Sequence, residues 1–191
     1  MKAAVERRSA FGYRDHFALA VTTFGVGYLP LAPGTWGSAV GVLIYLGIEV
    51  LVIGIYASLQ SGLNAYVDTG YRDYMAWAHA ILLILFLVFT LLGVWAAGRA
   101  TELLGNTDPP EAVIDEIIGQ LIVFLFVPFS IGWPMILAGF LLFRLFDIWK
   151  PYPIDYLQVL PGGIGVCADD ILAGVYAGVC LSVVYAISLS L

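Results

Sequence analysis

Charged residues are scarce in this chain: Asp, Glu, Lys and Arg make up 12% of its 191 residues, while 61% are hydrophobic and the mean hydropathy is +0.95. An ordinary soluble domain is about a quarter charged and about half apolar. The shortage argues against a soluble protein and implies an integral membrane one. Basic residues are also fewer than acidic ones, eight against fourteen for a net charge of −6, so nothing points to nucleic acid. Histidine is nearly missing, with only His16 and His79, both expected to be structural or interfacial. The two cysteines, Cys167 and Cys180, lack metal-ligand spacing and lie in or beside one apolar run, where a thiol packs as a small hydrophobe. The length leaves no room for a second soluble domain, so residues 1–191 read as one membrane-embedded unit. No cleavable signal is convincing either: the apolar run after Lys2, Arg7, Arg8 and Arg14 is interrupted by Pro30 and Pro33.

What the chain has in quantity is apolar runs separated by proline, glycine and short polar turns. Residues 15–27 read as a short interfacial helix, too brief to span. The turn-rich segment 25–38 leads into an apolar run at 39–59. Thr35 or Ser38 is the expected cap of that helix, whose free N–H groups suit an anionic phosphate. Gly37 and Gly41 form a small-xxx-small pair for close helix approach, and Glu49 is expected to be protonated or hydrogen-bonded between helices. Residues 61–74 read as a polar loop and 75–98 as a second span. Asp108, followed by Pro109, Pro110 and Glu111, has the pattern of an N-cap with a capping box, starting a helix that runs through Asp115 and Glu116 into 121–127. Pro128 and Pro134 bracket a turn, so the short apolar arms around it form a thin hairpin. A last span at 171–191 is opened by Asp169 and Asp170 and carries a second small pair, Gly174 and Gly178. The expected fold is all-α: a polytopic membrane helical bundle of about five spans, Pro-bounded hairpin included, with an N-terminal interfacial helix.

Against that background the stretch 144–170 stands out, because a charge in hydrocarbon costs several kcal/mol unless it is paired or metal-bound. Arg144, Asp147 and Lys150 recur every third residue on one helix face, Pro151 ends the helix, and a glycine turn at Gly162, Gly163 and Gly165 precedes Asp169 and Asp170. Five crossings from a cytoplasmic N-terminus put 1–38, 99–116 and 147–170 on one side. Lys2, Arg7, Arg8, Arg14, Arg99, Arg144 and Lys150 then lie inside and Arg72 outside, which satisfies the positive-inside rule. The same parity gathers the turn at 33–38, Asp115 with Glu116, Asp147 with Lys150, and Asp169 with Asp170 at one membrane face. Carboxylates without sulfur or imidazole partners suit a hard cation such as Mg²⁺. Arg144 and Lys150, with glycine N–H groups, suit phosphate. The expectation is metal-assisted phosphoryl chemistry on a substrate held at the membrane surface. Histidine and cysteine mechanisms are disfavoured, since no arginine follows either cysteine at a phosphate-loop spacing, and no Asp-x-Asp pair suggests an aspartyl-phosphate site.

Four blocks of the chain resemble, in order, those of the phosphatidylglycerophosphatase A family: Pro33 to Ser38, Asp108-Pro109 through Asp115-Glu116 to Gly119, Phe143-Arg144 through Asp147 to Pro153, and Gly162-Gly163-Ile164-Gly165 through Asp169-Asp170. The resemblance covers about residues 22–185. It implies a Mg²⁺-dependent enzyme of the bacterial inner membrane, facing the cytoplasm, that removes the terminal phosphate of phosphatidylglycerophosphate to give phosphatidylglycerol, with membrane phospholipid as its partner. Carried over by motif, the acidic candidates are Asp108, Asp115, Glu116, Asp147, Asp169 and Asp170, with Asp108, Asp115, Asp147 and Asp170 on metal. Thr35, Ser38, Arg144 and Lys150 fall to the phosphate. Water or a carboxylate could be the nucleophile. The loop at 60–75 appears longer than the family pattern, on the side away from the expected site. Two other classes compete: another lipid-phosphate hydrolase or transferase, although the Asp-Gly-x-x-Ala-Arg core of CDP-alcohol transferases is missing, and a small ion transporter using Glu49, although no inverted repeat is detectable.

Overall fold

Proline and glycine mark most of the element boundaries. The computed structural model describes residues 7–10, 12–62 and 68–190, and every regular element in it is helical. Helix α1 (Tyr13–Thr23) and a 3₁₀ turn (Val26–Tyr28) precede α2 (Pro33–Gly62) and α3 (Asp68–Leu104). Then come α4 (Ile114–Phe124), α5 (Trp133–Trp149), the single turn α6 (Ile154–Leu157) and α7 (Gly162–Ser188). Lys2 and residues 63–67 of the expected polar loop lie outside the described residues.

Helix α4 is the axis of the fold. Every residue in it except Glu116 is buried, and it packs chiefly against α7 and α2, with α3 and α5 closing around it. A helix that is apolar on nearly all sides has to be a core helix. Around it, the stretches 33–60, 70–104 and 162–188 are long and apolar enough to cross a membrane. Leu43, Val50, Leu51, Ile84, Leu87 and Leu91 on these helices are exposed, an outward apolar surface of the kind that faces lipid. The protein is an all-α integral membrane protein. The two arms of the expected hairpin, α4 with 11 residues and α5 with 17, fall short of the ~20 needed to span. They are folded back within the bundle, with Pro134 in the first turn of α5.

Several boundaries move from their expected places, each for a local reason. Helix α2 starts at Pro33, whose missing N–H costs nothing in a first turn. Thr35 and Ser38 are therefore inside the helix rather than capping it, and Ser38 Oγ donates to Gly34 O at 2.9 Å. The expected loop at 61–74 is largely helical, because Tyr74 donates from its hydroxyl to Val52 O at 2.7 Å and Tyr56 packs on Tyr71 and Tyr74, zipping α3 onto α2. Asp108 is not the cap of α4, whose N-cap position is Val113. Asn106 Oδ1 accepts from the Asp108 N–H, Ala112 N–H donates to Pro109 O, and these turns delay α4 until Ile114. The glycine turn at 162–165 is instead the first turn of α7, which sets Asp169 and Asp170 two turns inside the helix. Gly163 is needed there because a Cβ would run into Val94 O and Gly98 N of α3.

The charged blocks gather at one end of the bundle, as expected, although only three helices are long and apolar enough to cross a membrane. The start of α2, the end of α3, the start of α4, the end of α5 and the start of α7 meet at one end of the bundle, where α1 also docks through Arg99 Nε donating to buried Asp15 at 2.8 Å. At the other end, the Glu49 carboxylate accepts from Ser130 N–H at 2.7 Å, so Glu49 is hydrogen-bonded between α2 and the α4–α5 turn. His79 is likewise structural, its ring bonded to Met75 O and set against Phe129. Glu49→Gln keeps an accepting oxygen, and its thermal unfolding in detergent is expected to match the wild type. Glu49→Leu leaves that N–H without an acceptor and is expected to lose about 1–3 kcal/mol.

Candidate active site

Asp115 and Glu116 are adjacent, so their side chains diverge by about 100° around α4. Asp170 enters the space between them from α7. One carboxylate oxygen from each of the three lies within 4.8 Å of the others. The approach depends on glycine. A Cβ on Gly119 would sit 2.7 Å from the Asp170 carbonyl oxygen and overlap the Phe143 ring, and one on Gly174 would overlap Gly119 O. Asp115 and Asp170 are only 6% and 3% exposed. Asp115 Oδ1 and Glu116 Oε2 are buried with no hydrogen-bond partner among the described residues. Three carboxylates this close, two of them buried, cannot all be ionised without a compensating cation, and their spacing could hold a metal ion.

The cationic half of the site comes from the last turns of α5. Arg144, Asp147 and Lys150, spaced i, i+3, line up as expected: Arg144 Nη1 donates to Asp147 Oδ2 at 2.5 Å and Lys150 Nζ lies 3.8 Å from Asp147 Oδ1. Lys150 also donates to Asp169 Oδ2 at 2.5 Å, and Gln158 Nε2 donates to the same oxygen at 3.0 Å. Burial pulls the Lys150 pKa down, but the hydrogen bond to Asp169 and the charges of Asp169, Asp170 and Asp147 outweigh it and hold the ammonium above its ordinary value. Lys150 therefore stays cationic at neutral pH. Arg144 reaches Ser38 Oγ at 3.5 Å, and a Cβ on Gly34 would be 3.1 Å from Arg144 Nη1 and would overlap Glu116 Oε1. The first turn of α2 thus lies directly over Glu116 and Arg144.

The structure brings together most of the residues singled out in the sequence, in a different division. Of Asp108, Asp115, Asp147 and Asp170, only Asp115 and Asp170 join the carboxylate triad, and Glu116 is its third member. Asp147 is held between Arg144 and Lys150, within hydrogen-bonding reach of Asp170. Asp169 is held by Lys150 and Gln158. Asp108 is outside the triad, exposed in the turn before α4. Thr35 is exposed in the first turn of α2, beside Gly34, and Ser38 is buried under Arg144. Gln158 was not foreseen, because nothing in its local sequence separates it from an ordinary connecting residue.

Fold and site together define a polytopic helical membrane protein with an acid- and base-rich centre at one end of its helices. The chain belongs to the phosphatidylglycerophosphatase A family, whose model matches residues 19–185, nearly the span over which the motifs resemble it. Phosphatidylglycerophosphatase A of Haemophilus influenzae is 36% identical over 83% of this chain and 82% of its own length. The Escherichia coli K12 protein of that name is 29% identical over 82% of this chain and 76% of its own. A Bacteroides thetaiotaomicron protein provisionally named a phosphatidylinositol-3-phosphatase is 35% identical over 85% of this chain and 89% of its own. No solved structure gives a significant match. The protein is a phosphatase, a phosphoric monoester hydrolase.

Proposed function

We propose that the protein hydrolyses the terminal phosphate monoester of phosphatidylglycerophosphate, releasing phosphatidylglycerol and phosphate, with Mg²⁺ held by Asp115, Glu116 and Asp170. The observation that carries this reading is the triad itself: three carboxylates within 4.8 Å, two with an unpartnered buried oxygen, beside an arginine and a lysine. An all-oxygen, multiply anionic donor set fits a hard divalent ion and not a soft one. When bound, Mg²⁺ polarises the phosphoryl group and lowers the pKa of a coordinated water.

The chain's own residues do the rest. Arg144 and Lys150 bind the phosphate oxygens and offset charge developing there in the transition state. Asp147 and Asp169 keep both cations aimed at the site when substrate is away, with Gln158 steadying Asp169. Ser38 positions the Arg144 guanidinium, and the start of α2 at Gly34 and Thr35 turns its positive dipole end towards the phosphate. The lipid tails stay in the bilayer beside the exposed apolar faces of the long helices. A cytoplasmic site in the bacterial inner membrane is supported by the gathering of Arg8, Arg99, Arg144 and Lys150 at the site's end of the bundle.

Purified protein in detergent is expected to release phosphate from dispersed phosphatidylglycerophosphate, to lose that activity in EDTA and to regain it with excess Mg²⁺. EDTA-resistant turnover would remove the metal from the mechanism. The Bacteroides relative makes phosphatidylinositol 3-phosphate the substrate to run in parallel. Turnover of that lipid with phosphatidylglycerophosphate inert would transfer the assignment to an inositol lipid.

A further inference from the structure

Beyond the carboxylates, the contact between α2 and α4 continues inward as a polar seam. Glu116 and Gln120 are spaced i, i+4 and so share one face of α4. That face lies on the glycine stripe of α2: a Cβ on Gly37 would be 3.2 Å from the Glu116 Cβ, and one on Gly41 would be 2.8 Å from the Gln120 Cβ. One turn further along, Tyr45 of α2 stacks on Phe124 of α4 with ring centroids 4.2 Å apart. Gln120 is 0% exposed, and neither its Oε1 nor its Nε2 has a partner among the described residues. Tyr45 is 5% exposed and its hydroxyl is equally unpartnered.

A metal ion held by the triad accounts for the open oxygens of Asp115 and Glu116. It does nothing for an amide N–H or a phenol two levels into a buried helix contact. Each such group destabilises the fold if left unsatisfied, and bulk water is not at hand inside a membrane protein. The three atoms include an acceptor, a donor and a group that is both. A cation would leave the amide N–H unsatisfied and an anion the amide oxygen. Water satisfies all of them, and a buried water typically makes about three hydrogen bonds.

We propose that the α2/α4 seam is a water-binding site in which ordered water bridges the Gln120 amide and the Tyr45 hydroxyl. The water fixes the α2–α4 spacing one turn below Glu116, which makes Gln120 a positioning residue for that carboxylate. The second role rests on the phosphatase reading, whereas the water site does not.

The test is a double-mutant cycle read by thermal melting in detergent, which needs no activity. Gln120→Leu and Tyr45→Phe are each expected to lower the melting temperature by about 2–6 °C. The double variant is expected to fall little further than the worse single, because both lose the same water. Gln120→Met serves in place of Gln120→Leu if branching at that position prevents folding. A rise in melting temperature in the single variants would mean that the polar atoms are dry, and fully additive losses would mean that they share nothing; either result overturns the proposal. For the positioning role, the Mg²⁺ concentration giving half-maximal phosphate release is expected to rise about tenfold in Gln120→Leu, with kcat at saturating Mg²⁺ within a factor of about three. An unchanged half-saturation removes that role and leaves the melting result to decide the water site.

Discussion

Asp170→Asn is expected to lower kcat for phosphate release by about 10³-fold, close to 4 kcal/mol of transition-state stabilisation, without loss of fold. The substitution keeps the side chain's shape and removes its charge. Asp170 is buried, belongs to the triad, and lies within reach of Asp147, so it links the proposed metal position to the Arg144 and Lys150 network. Without metal, removing one of several crowded negative charges relieves repulsion, so the variant's melting temperature in EDTA is expected to equal or exceed that of the wild type. Added Mg²⁺ is expected to raise the wild-type melting temperature and not the variant's. At a hundred times the dissociation constant that stabilisation amounts to about 2.7 kcal/mol. Asp108→Asn is the contrast: its side chain sits in the exposed turn before α4, and the variant is expected to keep activity within about threefold. Should Asp170→Asn retain wild-type turnover at saturating Mg²⁺, the carboxylate triad is not the reaction centre.

The difference between these two aspartates marks what the sequence could and could not convey. Both stand in family-like blocks, and motif membership alone gives them equal weight. The gathering of the charged blocks at one end of the bundle was legible, since it needs only the order of the apolar runs and the places where lysine and arginine accumulate. So were the Arg144, Asp147 and Lys150 face and the two small-residue pairs, because helical spacing fixes which side chains share a face. Partner choice was not legible. Whether Asp147 or Glu116 completes the triad depends on how far α5 and α7 slide along α4, and that is set by the fit of Phe143 and Gly174 around Gly119. The glycines at 162–165 misled for a related reason. Glycine serves equally for a turn and for close helix contact, and only the nearness of Val94 and Gly98 shows that contact is the use here. The part-buried pair between Asp15 and Arg99 was hidden altogether, as its members stand 84 residues apart with no motif around either.

Gly119→Ala is expected to damage the enzyme as severely as loss of a triad carboxylate, through geometry alone. A single methyl at this position would meet the Phe143 ring and the Asp170 carbonyl oxygen. The ring is fully buried and the carbonyl is helix backbone, so neither can swing aside. The strain can be released only by moving α7 off α4, which draws Asp170 away from Asp115 and Glu116. Overpacking of this kind costs about 1–3 kcal/mol of stability, and a displacement of about 1 Å at reacting groups costs about 10²-fold in rate. The expected signature is a modest fall in melting temperature, a fall in kcat of about 10²-fold or more, and a raised Mg²⁺ requirement. Gly178→Ala, on α7 two turns from Asp170, separates this from a general effect of crowding the α4–α7 contact. The three atoms nearest its added Cβ all belong to the side chain of Phe126, which is 39% exposed and so has room to shift that the buried Phe143 ring lacks. That variant is expected to keep activity within about threefold of the wild type. Equal loss in the two variants would mean that the α4–α7 contact supports the bundle without setting the distance between its carboxylates.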